Sequence, residues 1–196
     1  MLKVGITGGI GSGKSTVCKI FELLDIPVYY ADDEAKKILN NDVLVKEQII
    51  QAFGNDILDK QGLIERPKLA AIVFNNKEKL QQLNSIVHPA VAKHFENWLQ
   101  EHKTYPYILK EAAILFESGS YKQVNKIISV VAPTEIRINR TIKRDNISKE
   151  LALQRMQNQI SDEEKIKRSD FIIHNDEMQL IIPQVIDIHK KLIANS

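Results

Sequence analysis

The apolar residues of this chain change their spacing several times, and each change marks an element. Residues 2–7 (LKVGIT) form a short β-branched run, interrupted by Lys3 and Gly5, that ends in a glycine cluster. Val17, Ile20, Phe21 and Leu24 then recur at the spacing of one helix face. Asp25 closes that stretch, and residues 26–31 (IPVYYA) read as a second strand with Pro27 near its start. Strand, loop, helix and strand in succession favour a parallel α/β sheet.

From about Asp33 to Lys103 the pattern turns mainly helical, with no convincing strand. Leu80, Leu83, Val87, Val91, Phe95 and Trp98 step by three or four residues. Pro89 interrupts this stripe, because proline disfavours the α conformation at the preceding His88. The spacing therefore predicts two helices, the second with Pro89 in its first turn. Some seventy helical residues between two strands exceed a simple crossover and predict an inserted helical lobe. Strand signals resume at Tyr107–Leu109, extending toward Phe116, and at residues 126–132 (KIISVVA). A strongly charged helical segment covers Thr134–Arg168, residues 170–174 (DFIIH) read as the last strand, and Leu180, Ile181, Val185, Ile188 and Leu192 mark a closing helix. The expectation is an α/β fold of about five strands with helices on both faces.

Composition narrows this picture. The longest apolar run, Leu69–Phe74, is six residues and Ala112–Phe116 is five, both far below the roughly 20 of a membrane-spanning helix. One cysteine, Cys18, forms no internal disulfide and reads as a small packing residue. The opening residues MLKVGITGG lack a signal-peptide apolar region, so a cytoplasmic location is the default expectation. With 196 residues and a net charge of +2, the chain is one domain with room for a subordinate lobe and has no strong basic footprint for nucleic acid. The charge is uneven, however. Thr134–Arg168 holds nine Lys/Arg against six Asp/Glu, which makes that segment basic and the remainder slightly acidic.

The specific chemistry lies in residues 8–15, GGIGSGKS, which match G-x-x-x-x-G-K-[ST] through Gly8, Gly13, Lys14 and Ser15. Phosphate binding needs glycines here so that successive N–H groups turn inward around an anion. Gly9, Gly11 and Ser12 complete that loop, and a helix N-terminus follows it. Lys14 is placed for the β- and γ-phosphates, the Ser15 hydroxyl for Mg²⁺, and Thr16 for the α-phosphate. A regulatory GTPase also needs N-K-x-D. Neither Asn76-Lys77-Glu78-Lys79 nor Asn125-Lys126-Ile127-Ile128 supplies its aspartate. Glu117, after Ala112–Phe116, only weakly imitates the acidic residue of motor-type ATPases. A small-molecule kinase remains.

ITGGIGSGKSTV, Asp32 after the second strand, Gly62-Leu63-Ile64-Glu65-Arg66 with Leu69, and the Val87-His88-Pro89 turn together resemble the dephospho-CoA kinase family. Ile114-Leu115-Phe116-Glu117 as a strand end, Arg140-x-x-x-Arg144-Asp145, Gln159 and Ser169-Asp170 with Asn175 extend the resemblance over almost the whole chain. Three positions depart from that family's pattern. Tyr30-Ala31-Asp32 stands where Asp-Ala-Asp is common, Glu111-Ala112-Ala113-Ile114 lacks a frequent proline, and Ser169 replaces a usual alanine. The resemblance implies transfer of the ATP γ-phosphoryl group to the ribose 3′-hydroxyl of dephospho-CoA, giving CoA and ADP. It also implies a P-loop kinase core (1–32, 105–135 and 169–196), an inserted helical CoA-substrate lobe (33–104) and a lid (136–168). The implied partners are ATP with Mg²⁺ and dephospho-CoA, with no nucleic acid and no membrane, for a monomer or weak homo-oligomer. The alternative is a nucleoside or nucleotide kinase, or a non-catalytic nucleotide switch.

The other candidates keep two readings each. Asp32 either orients the acceptor hydroxyl or caps the helix that follows, for which Asp33 is the better cap. Arg140 and Arg144, one turn apart, either close over the phosphates or belong to a solvated charged face, and Arg137 and Arg155 are weaker candidates. His88 either lies beside the acceptor or starts a helix. Arg66 binds a substrate phosphate or pairs near Glu65. Asn175 contacts adenine or is a plain turn residue. His94, His102 and His189 show no metal-ligand spacing.

Overall fold

The computed structural model describes residues 1–73 and 76–194; Phe74, the end of one apolar run, lies outside them. Two compact units emerge, one built from residues 1–30 and 102–196 and the other from residues 31–101.

The first unit is a five-stranded, all-parallel sheet in the order β2-β3-β1-β4-β5. Its strands are β1 (Leu2–Thr7), β2 (Val28–Tyr30), β3 (Tyr107–Glu111), β4 (Lys126–Val131) and β5 (Phe171–His174). From β1 the chain moves to one edge of the sheet, returns to place β3 beside β1, and then proceeds to the other edge. That reversal puts a crevice at the carboxyl ends of the central strands, where open α/β sheets hold ligands. Helices α1 (Lys14–Leu23) and α9 (Ile181–Ile193) cover one face. Val17, Cys18 and Phe21 from α1 and Val185, Ile188 and Leu192 from α9 pack with Val4, Ile6, Leu109, Ile128 and Val130. Each such side chain contributes about 1.5–3 kcal/mol on burial, which anchors the strand ends that carry the site.

Strand boundaries differ from the periodicity at two instructive places. The expected second strand over residues 26–31 shrinks to Val28–Tyr30, and Ala31 already opens α2 (Ala31–Asn41). Asp33 is thus inside the first turn, paired with Lys36, and is not the expected cap. The third strand stops at Glu111, so residues 114–117 form turns rather than a strand end. The apolar run misleads because Leu115 and Phe116 are buried as turn residues, at 0% and 6% exposure, without sheet pairing.

The charged segment folds as three helices, α6 (Thr134–Asp145), α7 (Lys149–Gln157) and α8 (Asp162–Lys167). Asn146, at φ 51°, ends α6 in the left-handed conformation that asparagine tolerates. Ser148 and Ser161 cap α7 and α8 by accepting from the N–H groups of Leu151 and Glu164.

Among its described residues the second unit is mainly helical, with α2, α3 (Val43–Phe53), α4 (Arg66–Val73) and α5 (Lys77–Glu101), and holds one isolated antiparallel bridge between Leu58 and Ile64. Ile38, Val45, Ile49, Ile57, Ile64, Leu69, Val73 and Val87 form its core. Contrary to the two helices predicted around Pro89, α5 is one helix of 25 residues with the proline inside. Proline in a helix interior costs about 3 kcal/mol through a lost hydrogen bond and a clash one turn back. Burial of Val87 and Phe95 on either side of it, at 8% and 2% exposure, offsets that cost and keeps the helix running.

Candidate active site

The phosphate loop joins β1 to α1. Gly11 and Gly13 have φ of 79° and 92°, a left-handed region that a β-carbon disfavours. Space forbids side chains as well. A β-carbon at Gly11 would collide with the Arg137 carbonyl and the Thr141 hydroxyl, and one at Gly13 with the Asn175 amide. Within the loop, Ser12 N–H donates to the Gly9 carbonyl at 3.0 Å, and Thr16 and Val17 donate to Gly13 at 3.0 and 3.2 Å. Helix α1 carries no acidic residue in its first turn, so its N-terminal partial positive charge is left for an anion. Ser15 and Thr16 are exposed at that end.

Lys14 lies across the loop. Its Nζ donates to the Gly8 carbonyl at 3.0 Å and stands 3.9 Å from Glu111 Oε1, with both side chains about one-tenth exposed. Glu111 ends β3 and pairs in register with Ile6 and Tyr30. It is a buried acidic residue at the carboxyl end of a strand, a part that Glu117 only imitated in sequence. Glu117 instead accepts from the Ile160 N–H at 2.9 Å. Burial, with the Glu111 charge adding to it, pushes the Cys18 thiol far above its ordinary range, as suits a packing residue. Tyr30, at the family's first aspartate position, donates to Glu22 Oε1 at 3.0 Å.

Asn175 follows β5. Its Nδ2 donates to the Ser12 carbonyl at 2.7 Å, and its own carbonyl and Oδ1 each accept from Arg140 at 3.3 Å. Arg140 also pairs with Glu177 at 3.0 Å. Arg144 points its guanidinium at the neighbouring Asp145, at 2.7 and 3.0 Å, and that carboxylate is shared with Arg155. These hydrogen bonds, Arg144's first, hold the Asp145 carboxyl below its usual range. The structure therefore brings Lys14, Asn175 and Arg140 together at the loop, while Arg144 is two-thirds exposed one turn further along α6.

Arg137, the weaker candidate in sequence, is buried against the loop. Its Nε donates to the Ile10 carbonyl at 3.0 Å and its NH1 to Asp162 Oδ2 at 2.6 Å. A β-carbon at Gly9 would overlap its guanidinium. The sequence signal existed, since Arg137, Arg140 and Arg144 share one helix face. Gln159, also at the loop, had no local signal beyond the resemblance.

In the helical unit, Asp32 stands in the first turn of α2. Arg66 opens α4 and is exposed; Glu65 pairs with Lys68 instead. His88 is half-buried within α5, and burial holds its pKa below the ordinary value. A groove of about 520 Å³ runs between α2, the start of α3 and α5. Lys37 and Lys93 supply cationic groups there, His94 an imidazole, Glu34 and Asp42 carboxylates, and Asn41 and Asn97 amides, over Ile38 and Ala90.

Among the described residues, no cluster of three or more His, Cys, Asp or Glu forms a metal cage. The donor set present is a hydroxyl, Ser15, beside a phosphate cradle. That matches Mg²⁺, which takes few protein ligands and is carried largely by phosphates and water. No helix among the described residues is long and apolar enough to cross a membrane.

Comparison with known proteins agrees with this geometry. The family model for dephospho-CoA kinase matches residues 2–180. A dephospho-CoA kinase of Fusobacterium nucleatum is 48% identical over 172 residues, covering 88% of both chains. A crystal structure from Thermus thermophilus superposes with a TM-score of 0.86 at 30% identity, covering 99% of this chain and 97% of that one. The dephospho-CoA kinase of Campylobacter jejuni does so with a TM-score of 0.72 at 31% identity, covering 98% of each. Five parallel strands, a glycine loop that seats a lysine, and a match along nine-tenths of the chain converge on one conclusion: the protein belongs to the dephospho-CoA kinase family.

Proposed function

We propose a division of labour among residues for the reaction of this family, transfer of the ATP γ-phosphoryl group to the 3′-hydroxyl of dephospho-CoA. Residues 8–13 cradle the ATP phosphates through backbone N–H groups. Lys14 neutralises charge between the β- and γ-phosphates, and Thr16 serves the α-phosphate. The observation that carries this reading is the Lys14 amine, seated 3.0 Å from the Gly8 carbonyl beside a helix start free of acidic residues. Ser15 holds Mg²⁺, which supplies charge neutralisation on the phosphates when bound.

Asp32 orients the acceptor hydroxyl and receives its proton as the new P–O bond forms and the bond to the ADP oxygen breaks. Its support is its place in the chain, two residues after the last residue of β2. Helices α6–α8 act as the lid. Arg140 meets the developing phosphoryl charge, with Arg144 following once Asp145 releases it, and water is excluded. Asn175 holds the loop and borders the adenine. The helical unit receives dephospho-CoA, with Arg66 and His88 contributing. The lysines of its groove suit the diphosphate, and the amides suit the amide-bearing arm. The enzyme works in the cytoplasm on ATP and dephospho-CoA, as a monomer or weak homo-oligomer. Asp32→Ala tests the scheme: turnover should collapse while ADP affinity is retained, and near-normal kcat would remove Asp32 from its role.

A further inference from the structure

The tip of the phosphate loop is held from outside the loop. Ile10 sits between Gly9 and Gly11, so it has flexible neighbours on both sides, yet both peptide planes flanking its Cα are gripped. Its N–H donates to Gln159 Oε1 at 2.9 Å, and its carbonyl accepts from Arg137 Nε at 3.0 Å. With both planes held, the two soft dihedrals of Ile10 are set, and the left-handed turn at Gly11 starts from a fixed direction.

The grip has its own support. The Gln159 amide Nε2 donates to the Ala113 carbonyl at 2.9 Å, which fixes the amide and identifies its oxygen as the acceptor for Ile10. Ala113 lies just past β3, whose last residue, Glu111, stands 3.9 Å from Lys14. On the other side, Arg137 is tied to Asp162 at 2.6 Å. The fully buried Lys165 donates to the Ile160 carbonyl at 2.6 Å and stands 3.8 Å from Asp162. Ile160 N–H is taken by Glu117 at 2.9 Å. Residues 159–165, the junction of α7 and α8 with the first turn of α8, are thereby pinned at several points and pass that rigidity to Ile10.

We propose that Gln159 is a positioning residue: it presets the phosphate loop for the nucleotide and makes that setting depend on the α7–α8 junction. Without its side chain, Ile10 and its glycines regain backbone freedom, which the nucleotide must remove on binding. The competent loop is then only a fraction of the population, and apparent affinity falls by that fraction. The acceptor does not share this dependence. This inference rests on the loop being the ATP site, and Lys14→Ala with unmodified enzyme as reference tests that reading separately.

The test combines a variant with a measurement on the unaltered protein. Gln159→Met keeps the length and packing of the side chain and loses both hydrogen bonds. It should weaken ADP binding and raise the KM for ATP about five- to tenfold, with the KM for dephospho-CoA unchanged within twofold. In the unaltered, ligand-free enzyme the Ile10 amide should exchange with solvent far more slowly than an open loop amide. If unaltered enzyme does not bind ADP, the ATP-site reading fails. If ADP binds but the Ile10 amide exchanges freely, or Gln159→Met lowers only thermal stability and leaves ADP affinity intact, Gln159 is a strut and the inference is overturned. The exchange measurement needs no variant and can overturn the inference even if Gln159→Met does not fold.

Discussion

The side-chain amide of Asn175 donates to the main-chain carbonyl of Ser12 at 2.7 Å, joining the end of the last strand to the phosphate loop across 163 residues of sequence. Asn175 is 8% exposed, so the bond is shielded from water. Asn175→Asp replaces the donor with an oxygen facing an oxygen. It should cost about 1–3 kcal/mol of stability, the penalty for an unsatisfied buried carbonyl. Thermal denaturation together with the KM for ATP checks this, and the KM is expected to rise about tenfold.

Arg140 and Arg144 should not be equivalent. Arg140 already lies on Asn175, whereas Arg144 must first leave Asp145. Arg140→Ala is expected to lower kcat about 100-fold, in the range for losing one transition-state donor, and Arg144→Ala by about tenfold. Steady-state kinetics on both variants gives the ranking, and the reverse order would move the closing charge to Arg144.

The groove of the helical unit offers a substrate-specific prediction. Lys93→Glu reverses a charge on its wall. The KM for dephospho-CoA should rise about tenfold, as for loss of a charge-assisted contact, with the KM for ATP unchanged. A rise in both would place Lys93 outside acceptor recognition.

Lys110 gives a pH signature in folding stability. It is 1% exposed in β3, its amine donates to Gln123, and burial lowers its pKa to about 8, with Lys3 adding repulsion. Between pH 8 and the ordinary value of 10.5 the unfolded chain binds the proton and the folded one does not, so folding stability rises with pH across that window. Below it both states are charged and the folded state bears the full desolvation cost, about 3 kcal/mol for such a shift. Lys110→Met should therefore flatten the difference between denaturation at pH 7.5 and pH 10, and an unchanged slope would contradict the assignment.

The readable parts of the molecule were those where chemistry is local. Residues 8–15 declare their loop because glycine, lysine and serine are needed in one contiguous stretch, and α9 declares itself through Val185, Ile188 and Leu192 at helical steps. What periodicity missed depended on distant partners. Pro89 reads as a boundary until the burial of Val87 and Phe95 is known. Leu115 and Phe116 read as strand because burial, not pairing, made them apolar. Glu111 was hidden by the apolar residues after it, although its carboxylate stands 3.9 Å from Lys14. Arg137 and Gln159 reach the loop from 127 and 149 residues away, which no spacing rule reports.

The central claim is that Lys14 and its loop deliver a phosphoryl group to one acceptor. ADP release from Mg-ATP, measured with dephospho-CoA, adenosine, AMP or no acceptor, tests it most directly. Fast release with dephospho-CoA alone, abolished by Lys14→Ala, is the predicted result. Equal slow release in every case, or release unaffected by Lys14→Ala, would contradict it.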